Sequence, residues 1–234
     1  MNNFHKVLDF IVCYLSHFKN RRDFHKLRTR SGNYSLKGFD DKSCIFVHIP
    51  KSAGISVNTA LFGSYGGGHL TVKEYKRIFG PVVYRNYFSF TFVRNPYERL
   101  YSAWNFLRNG GFKEDERIWA ENNIMKYDLF SDFVLEWLNS ESIWKINHFK
   151  PQYFFVCDLN NHPEVDFIGR VENIDEDFQY VCNQLGVENS LPRLNCSQFK
   201  DSNIMTAYTS EAFEKVNRLY DLDFKIFDYS KIEN

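Results

Sequence analysis

The 234-residue chain has no excess of either charge. Lys plus Arg and Asp plus Glu both number 29, so the formal net charge is zero. A general nucleic-acid binder shows a strong basic excess, and that class is disfavoured. No stretch reaches the roughly 18 apolar residues needed to cross a bilayer. There is no repeat and no low-complexity segment. The five cysteines (Cys13, Cys44, Cys157, Cys182, Cys196) form no CxxC pair and are odd in number. That fits free thiols in a reducing compartment rather than a disulfide framework. No His/Cys/Asp spacing suggests a zinc site, so no metal is expected. The lack of a membrane-spanning stretch and the free thiols set a cytoplasmic location as the expectation.

What the chain does have is aromatic bulk: 24 Phe and 14 Tyr, within a hydrophobic share of 44%. Such side chains bury large areas and read first as core; a sugar- or base-stacking surface is the alternative. Near the N-terminus Phe4, Val7, Leu8, Ile11, Leu15 and Phe18 recur at helical spacing. They predict an amphipathic helix docked on the body or on a partner, with peripheral membrane contact as the other option. Residues 19–42 are polar and hold the basic run KNRRDFHKLRTR. They read as a solvated linker, with an anionic-partner site as the alternative. The expected organisation is an arm over 1–41 and one globular domain over 42–234.

The domain opens with a continuous apolar run, Cys44–Ile49, as in a strand buried on both faces of a parallel sheet. A helix is predicted from about Gly54 to Phe62. A second follows Thr71, with Glu74 completing a capping box and Gly80 as the stop. YFSFTFVR (87–94) reads as a strand, and NPYERLYSAWNFL as a helix with Asn95 at the N-cap, Pro96 at the first position and Glu98 closing the box. Residues 110–126 read as irregular or a short helix, and SDFVLEWL as helical. YFFVC (153–157) and VDFIGRV (165–171) read as further strands. A helix capped by Asn173 ends at Gly186, and TSEAFEKVNRLY forms a last one. Alternation of this kind implies an α/β fold: three layers, a mainly parallel central sheet, flanking helices. Ligands in such folds bind at the carboxyl ends of strands, where the loops after Ile49 and Phe92 fall.

Those two loops carry the chemistry. The first, Pro50 to Ser56, holds a lysine, two serines and a glycine at a predicted helix N-terminus, where unpaired N–H groups attract phosphate. Its lysine precedes its glycine, the reverse of a Walker A loop, which disfavours an ordinary P-loop kinase or ATPase. In the second loop Arg94 ends a strand beside a helix N-terminus. Its fork suits a second phosphate, and Ser102, two turns on, offers a hydroxyl. Taken alone, Arg94 could equally pair with Glu98. Together the loops suggest a ligand with two separated phosphates.

HIPKSAG-S followed by RNPYERLYSAW resembles the paired cofactor motifs of sulfotransferases that use 3′-phosphoadenosine-5′-phosphosulfate (PAPS), most closely the carbohydrate (family 2-like) branch. GHLT, HFKPQYFFVCD, DFIGRVENIDEDF and LPRLNCS are also similar, so the resemblance covers about residues 42 to 230. It implies a P-loop-like nucleotide-binding sulfotransferase fold, PAPS as donor and PAP as product. By motif, Lys51, Ser52, Ala53, Gly54, Ile55 and Ser56 would surround the 5′-phosphosulfate, and Arg94 and Ser102 the 3′-phosphate. Arg170, Asn195 and Ser197 would lie near the adenosine. Ile55 departs from the threonine common there, and offers a backbone N–H without a hydroxyl.

Sulfuryl transfer needs a base for the acceptor hydroxyl, an aligned donor, and stabilisation of the leaving phosphate. Lys51 suits the last role. His69, after three glycines and before the helix capped by Thr71, is the first choice for base, matching a histidine that the resemblance places in this interval. His148, in HFKPQ ahead of the predicted strand 153–157, is its rival; the segment reads either as shaping an acceptor pocket, with Lys150 and Gln152 as polar contacts, or as packing only. His48 reads as an interior or wall residue. The expected function is metal-free, in-line transfer of sulfate from PAPS to a hydroxyl of a carbohydrate. The alternatives are a kinase-like phosphotransferase, or a glycan- or protein-binding module that keeps the loops.

Overall fold

A computed structural model describes residues 2–192 and 204–233, with side chains from residue 7 onward. The chain begins with helices α1 (Asn2–Lys19), α2 (Arg21–Thr29) and α3 (Lys37–Asp41), then strand β1 (Cys44–Val47). Helices α4 (Gly54–Phe62), α5 (Val72–Phe79) and α6 (Pro81–Asn86) lead to β2 (Phe88–Val93). Next come α7 (Pro96–Arg108), α8 (Glu114–Asn123), α9 (Phe130–Asp132) and a π-helical turn, Phe133–Trp137. Helix α10 (Tyr153–Val156), β3 (Phe167–Arg170), α11 (Ile174–Leu185), α12 (Ser210–Leu219) and α13 (Asp221–Ile226) complete it. This is the expected α/β class, a small parallel sheet with flanking helices.

The chain divides into two compact units. The first holds residues 1–49, 53–93 and 154–195. Its sheet runs β1-β2-β3, all parallel, with Val47 opposite Thr91 and Val93 opposite Arg170. β1 is buried throughout, and Phe46 stacks on Phe90 with ring centroids 5.0 Å apart. The Thr91 hydroxyl donates to the Val47 carbonyl at 2.7 Å, so a polar side chain is tolerated in the middle of the sheet. At the other end of β2, the Ser89 N–H and hydroxyl both donate to Asp166. The Thr71–Glu74 capping box forms as expected, a motif whose cap is worth about 1 kcal/mol.

Several expectations need correcting. Residues 153–157 are not a strand: Tyr153–Val156 is a helical turn, because the Tyr153 N–H is taken by the Asp223 carboxylate rather than by a neighbouring strand. Of the two options for residues 110–126, the short helix holds, over Glu114–Asn123. The polar stretch 19–42 is mostly helical too, and Arg28 reaches from α2 to Asp40 of α3 with a bidentate ion pair. Asn173 makes no side-chain cap; a 3₁₀ turn, Val171–Asn173, feeds α11 instead. Helix α1 is inverted. From Val7 onward its apolar stripe faces outward, and its polar side docks: Cys13 is buried, Asp9 meets Lys73 at 3.8 Å, and His17 Nδ1 donates to the Arg77 carbonyl at 2.9 Å.

The second unit holds residues 50–52, 94–153 and 196–234. Asn95 caps α7 through the Tyr97 N–H, with Pro96 at the first position, as its sequence predicts. The buried face of α7 (Leu100, Ala103, Trp104, Leu107) packs in one aromatic core with Phe133 and Phe149. Truncating a ring such as Phe133 would cost about 3–5 kcal/mol. Cys13, Cys44, Cys157 and Cys182 are free thiols, and burial pushes Cys44 up to about 12.

Candidate active site

In the first unit the site is built around the entry to α4. Ala53 sits at the N-cap in the left-handed region (φ 57°) and brings no side-chain acceptor. The first-turn N–H groups of α4 therefore meet no cap from that residue, which is the arrangement that receives an anion. Lys51 is also left-handed (φ 67°), with Ser52 between them at ordinary φ. Alternating handedness turns successive N–H groups toward one side, the local geometry of an anion-binding hollow. Holding two non-glycine residues there costs about 1 kcal/mol or more each, which is a hallmark of functional loops.

Gly54 is dictated by a neighbour. A Cβ at this position would lie 1.8 Å from His48 Cδ2 and 2.0 Å from His48 Nε2. His48, expected as an interior or wall residue, thus packs its imidazole against the first residue of α4 and is buried. His69 meets it edge-on, ring centroids 4.5 Å apart. His69 Nδ1 lies 3.2 Å from the His48 carbonyl oxygen. A carbonyl can only accept, so in neutral His69 the proton sits on Nδ1, and Nε2 carries the basic lone pair. The glycine run ahead of His69 is also explained. Gly66 has φ 64°, and a Cβ there would lie 2.3 Å from Asn58 Oδ1. Asn58 in turn donates from Nδ2 to the Gly54 carbonyl at 3.0 Å. The first unit therefore brings His69, His48, Gly54 and Asn58 together. Arg170 ends β3 with its N–H on Asp177. Ile55 and Ser56 occupy the first turn of α4, both half-buried.

In the second unit the centre is Gln152, which is fully buried. Its Oε1 accepts from the Arg94 N–H at 2.9 Å and from the Ser52 hydroxyl at 3.4 Å, while its Nε2 donates to the Arg94 carbonyl at 2.9 Å. One amide thus joins the serine of the first motif to the arginine of the second. It is a brace, not the acceptor contact its sequence position suggested. The Gln152 N–H donates to Asp223 Oδ2 at 2.8 Å, and the Tyr153 N–H to Oδ1 at 2.9 Å. Arg99, also buried, donates to the carbonyls of Pro50 (3.3 Å), His148 (3.3 Å) and Lys150 (2.6 Å). Burial raises Asp223 to about 6, against the charge of Arg99 and the two N–H donors, so it is a carboxylate at neutral pH.

The Lys51 ammonium lies 3.9 Å from the centroid of the Phe106 ring, a cation–π contact. Burial, then the positive charge of Arg94, bring it down to about 8, with Glu116 working the other way. Arg94 itself gives Nε and one Nη to Glu98 at 3.1 and 3.0 Å, the pairing foreseen as the structural option for it. Two of its five N–H donors are used there, which does not spend the fork. Ser102 lies two turns into α7, half-buried. His148 is buried, stacks on Phe106 (centroids 5.1 Å) and faces Glu116 at 3.7 Å. It precedes no strand. Asn195 and Ser197 lie outside the described residues.

Two residues escaped the sequence reading, Arg99 and Asp223, and two were named in it without the contacts seen here, Gln152 and His48. A signal existed for the first two. Arg99 is four and eight residues from Ala103 and Leu107, on the apolar stripe of α7. Asp223 lies beside Phe224 on the buried side of α13, three residues after Tyr220 at its N-cap. A charge on a buried stripe must find a partner, so each announces a network.

Comparison with known proteins bears on the same residues. Carbohydrate sulfotransferase 12 of Mus musculus is 27% identical over 206 residues, which take in 71% of this chain and 47% of the mouse protein. The chain thus spans about half the length of that relative. No solved structure matches. A profile described as "Sulfotransferase family" matches residues 36–230, a range that includes both motif loops and both candidate histidines, and by that match the chain belongs to the sulfotransferase family.

Proposed function

We propose that the protein transfers a sulfuryl group from PAPS to a hydroxyl of a carbohydrate, with His69 as base. The observation that carries this reading is the imidazole pair His48–His69 packed against Gly54, at the start of the helix entered by the lysine-bearing loop. The residues fit the donor. The N-terminal turn of α4 and Lys51 suit the 5′-phosphosulfate, and Arg94 with Ser102 suits the 3′-phosphate. In the transfer, the acceptor oxygen forms a bond to sulfur as the bond from sulfur to the bridging phosphate oxygen breaks. The hydroxyl proton goes to His69 Nε2, and the leaving PAP carries the new negative charge, which Lys51 offsets. The carbohydrate class of the acceptor rests on family membership and on the name of the mouse relative.

Thermal shift with PAP, and separately with ATP and magnesium, tests the donor. A clear rise with PAP and little with ATP is expected; equal rises would favour a phosphotransferase. His69→Ala should retain PAP binding and lose transfer to a glycan panel followed by mass spectrometry. Surviving transfer would remove His69 from the role and leave His148 as the base.

A further inference from the structure

Helix α1 is turned inside out. Its docked side carries Asp9, Cys13 and His17, while Leu8, Ile11, Val12, Tyr14, Leu15 and Phe18 face outward. Leu15 is 61% and Phe18 69% exposed, values normal for lysine rather than leucine or phenylalanine. At about 100° per residue, Leu8, Ile11, Leu15 and Phe18 fall within one narrow arc, so they form a continuous stripe and not scattered exceptions. An apolar face of this kind marks a contact surface.

What covers it is indicated by the next segment. Lys19 ends α1, and Arg21, Arg22, Lys26 and Arg30 follow it; all five are exposed, and α2 has no buried residue. The whole chain is charge-neutral, so this cluster is local. A second copy docking face to face would bring two such clusters together. An anionic bilayer supplies both complements at once: an acyl boundary for the stripe and negative headgroups for the cations. No described helix is long and apolar enough to cross a membrane, which is consistent with one lying in the surface. We infer that α1 seats the protein on an anionic lipid surface, its outward stripe in the headgroup boundary and the basic segment 19–30 on the phosphates.

The test is cosedimentation of the full chain with phosphatidylcholine vesicles, with and without phosphatidylserine. Phosphatidylserine should raise binding about tenfold or more, and added salt should reverse most of that gain. Leu15→Glu should abolish pelleting with an unchanged melting temperature, since its side chain meets solvent. Should that variant fold poorly, Ile11→Ser serves the same purpose. Arg21→Glu with Arg22→Glu should remove the dependence on phosphatidylserine. The inference is overturned by wild-type protein that pellets no more with phosphatidylserine vesicles than without lipid, or by Leu15→Glu protein that binds them as well as wild type. It is also overturned by a wild-type dimer that ignores vesicles and that Leu15→Glu converts to monomer, which would make a second copy the occupant.

Discussion

Replacing Gly54 by alanine adds one carbon where there is no room for it. Ordinary van der Waals contact begins near 3.4 Å and the new Cβ would stand 1.8 Å from His48 Cδ2, so about 1.6 Å must be found. The imidazole cannot supply it. His48 is buried, stacked on Phe46 with centroids 5.9 Å apart and fitted against His69. The start of α4 must move instead, against the Asn58 bond to the Gly54 carbonyl. Alanine is a better helix former than glycine by roughly 0.5–1 kcal/mol, but overpacking a fixed neighbour costs about 1–3 kcal/mol. The clash wins, and at about 2–4 °C per kcal/mol for a chain of this size the melting temperature should fall by several degrees. PAP affinity should fall further than stability does, since a displacement of about 1 Å at a reacting site is worth up to a hundredfold. Thermal melting and titration calorimetry with PAP read the two effects. His48→Ala introduced beside Gly54→Ala should recover part of both losses, because it removes the obstacle. A Gly54→Ala protein that melts with wild type and binds PAP equally would refute the steric argument.

The remaining predictions concern the buried charges. Asp223→Asn offers one acceptor oxygen where two N–H groups, from Gln152 and Tyr153, now each have one, and it strips Arg99 of its counter-charge. Urea unfolding should show a loss of about 3–5 kcal/mol; a loss under about 1 would mean that Arg99 is balanced elsewhere. Lys51, at about 8 in the folded protein against an ordinary 10.5, predicts two pH effects of opposite sign. Between about 8 and 10.5 the unfolded chain holds this proton and the folded one does not, so the group's contribution to stability rises with pH and is lost as pH falls through 8. If PAP binding uses the charged ammonium, as the proposed function has it, binding should weaken by up to about tenfold per pH unit above 8 and take up a proton. Lys51→Arg stays charged and should flatten that profile. Calorimetry in buffers of different ionisation heat measures the uptake, and no uptake above pH 8 would exclude Lys51 from phosphate contact.

Local signals were readable where the reason for an element is local. Cys44–Ile49 is apolar because β1 is buried on both faces. Thr71 and Glu74 complete each other's hydrogen bonds within one turn, and Asn95–Pro96 starts α7 by its own geometry. The failures have distant causes. YFFV is aromatic and β-prone, yet it turns helical because an acid 70 residues away takes its first N–H. The stripe on α1 was visible, but its orientation depends on Lys73 and the Arg77 carbonyl of α5, which no pattern in α1 contains. Within the candidate site, residue type and order were enough to single out the lysine–glycine loop and Arg94 as candidates. They could not show that Gln152 joins them, since its partners lie 58 and 100 residues away.

Those separations bear on how the protein is made. The lysine loop is made before its supports, which follow in sequence: Arg99, which grips the Pro50 carbonyl, then Gln152, then Asp223, which fixes the Gln152 backbone from 71 residues further on. Closing such long loops is slow relative to forming α4 or α7. A nascent chain ending short of α13 would hold the motif residues without the frame that sets their spacing. The brace on the lysine loop thus waits for α13 to be made, so a chain cut before Asp223 should lack the fixed Gln152 that holds Ser52.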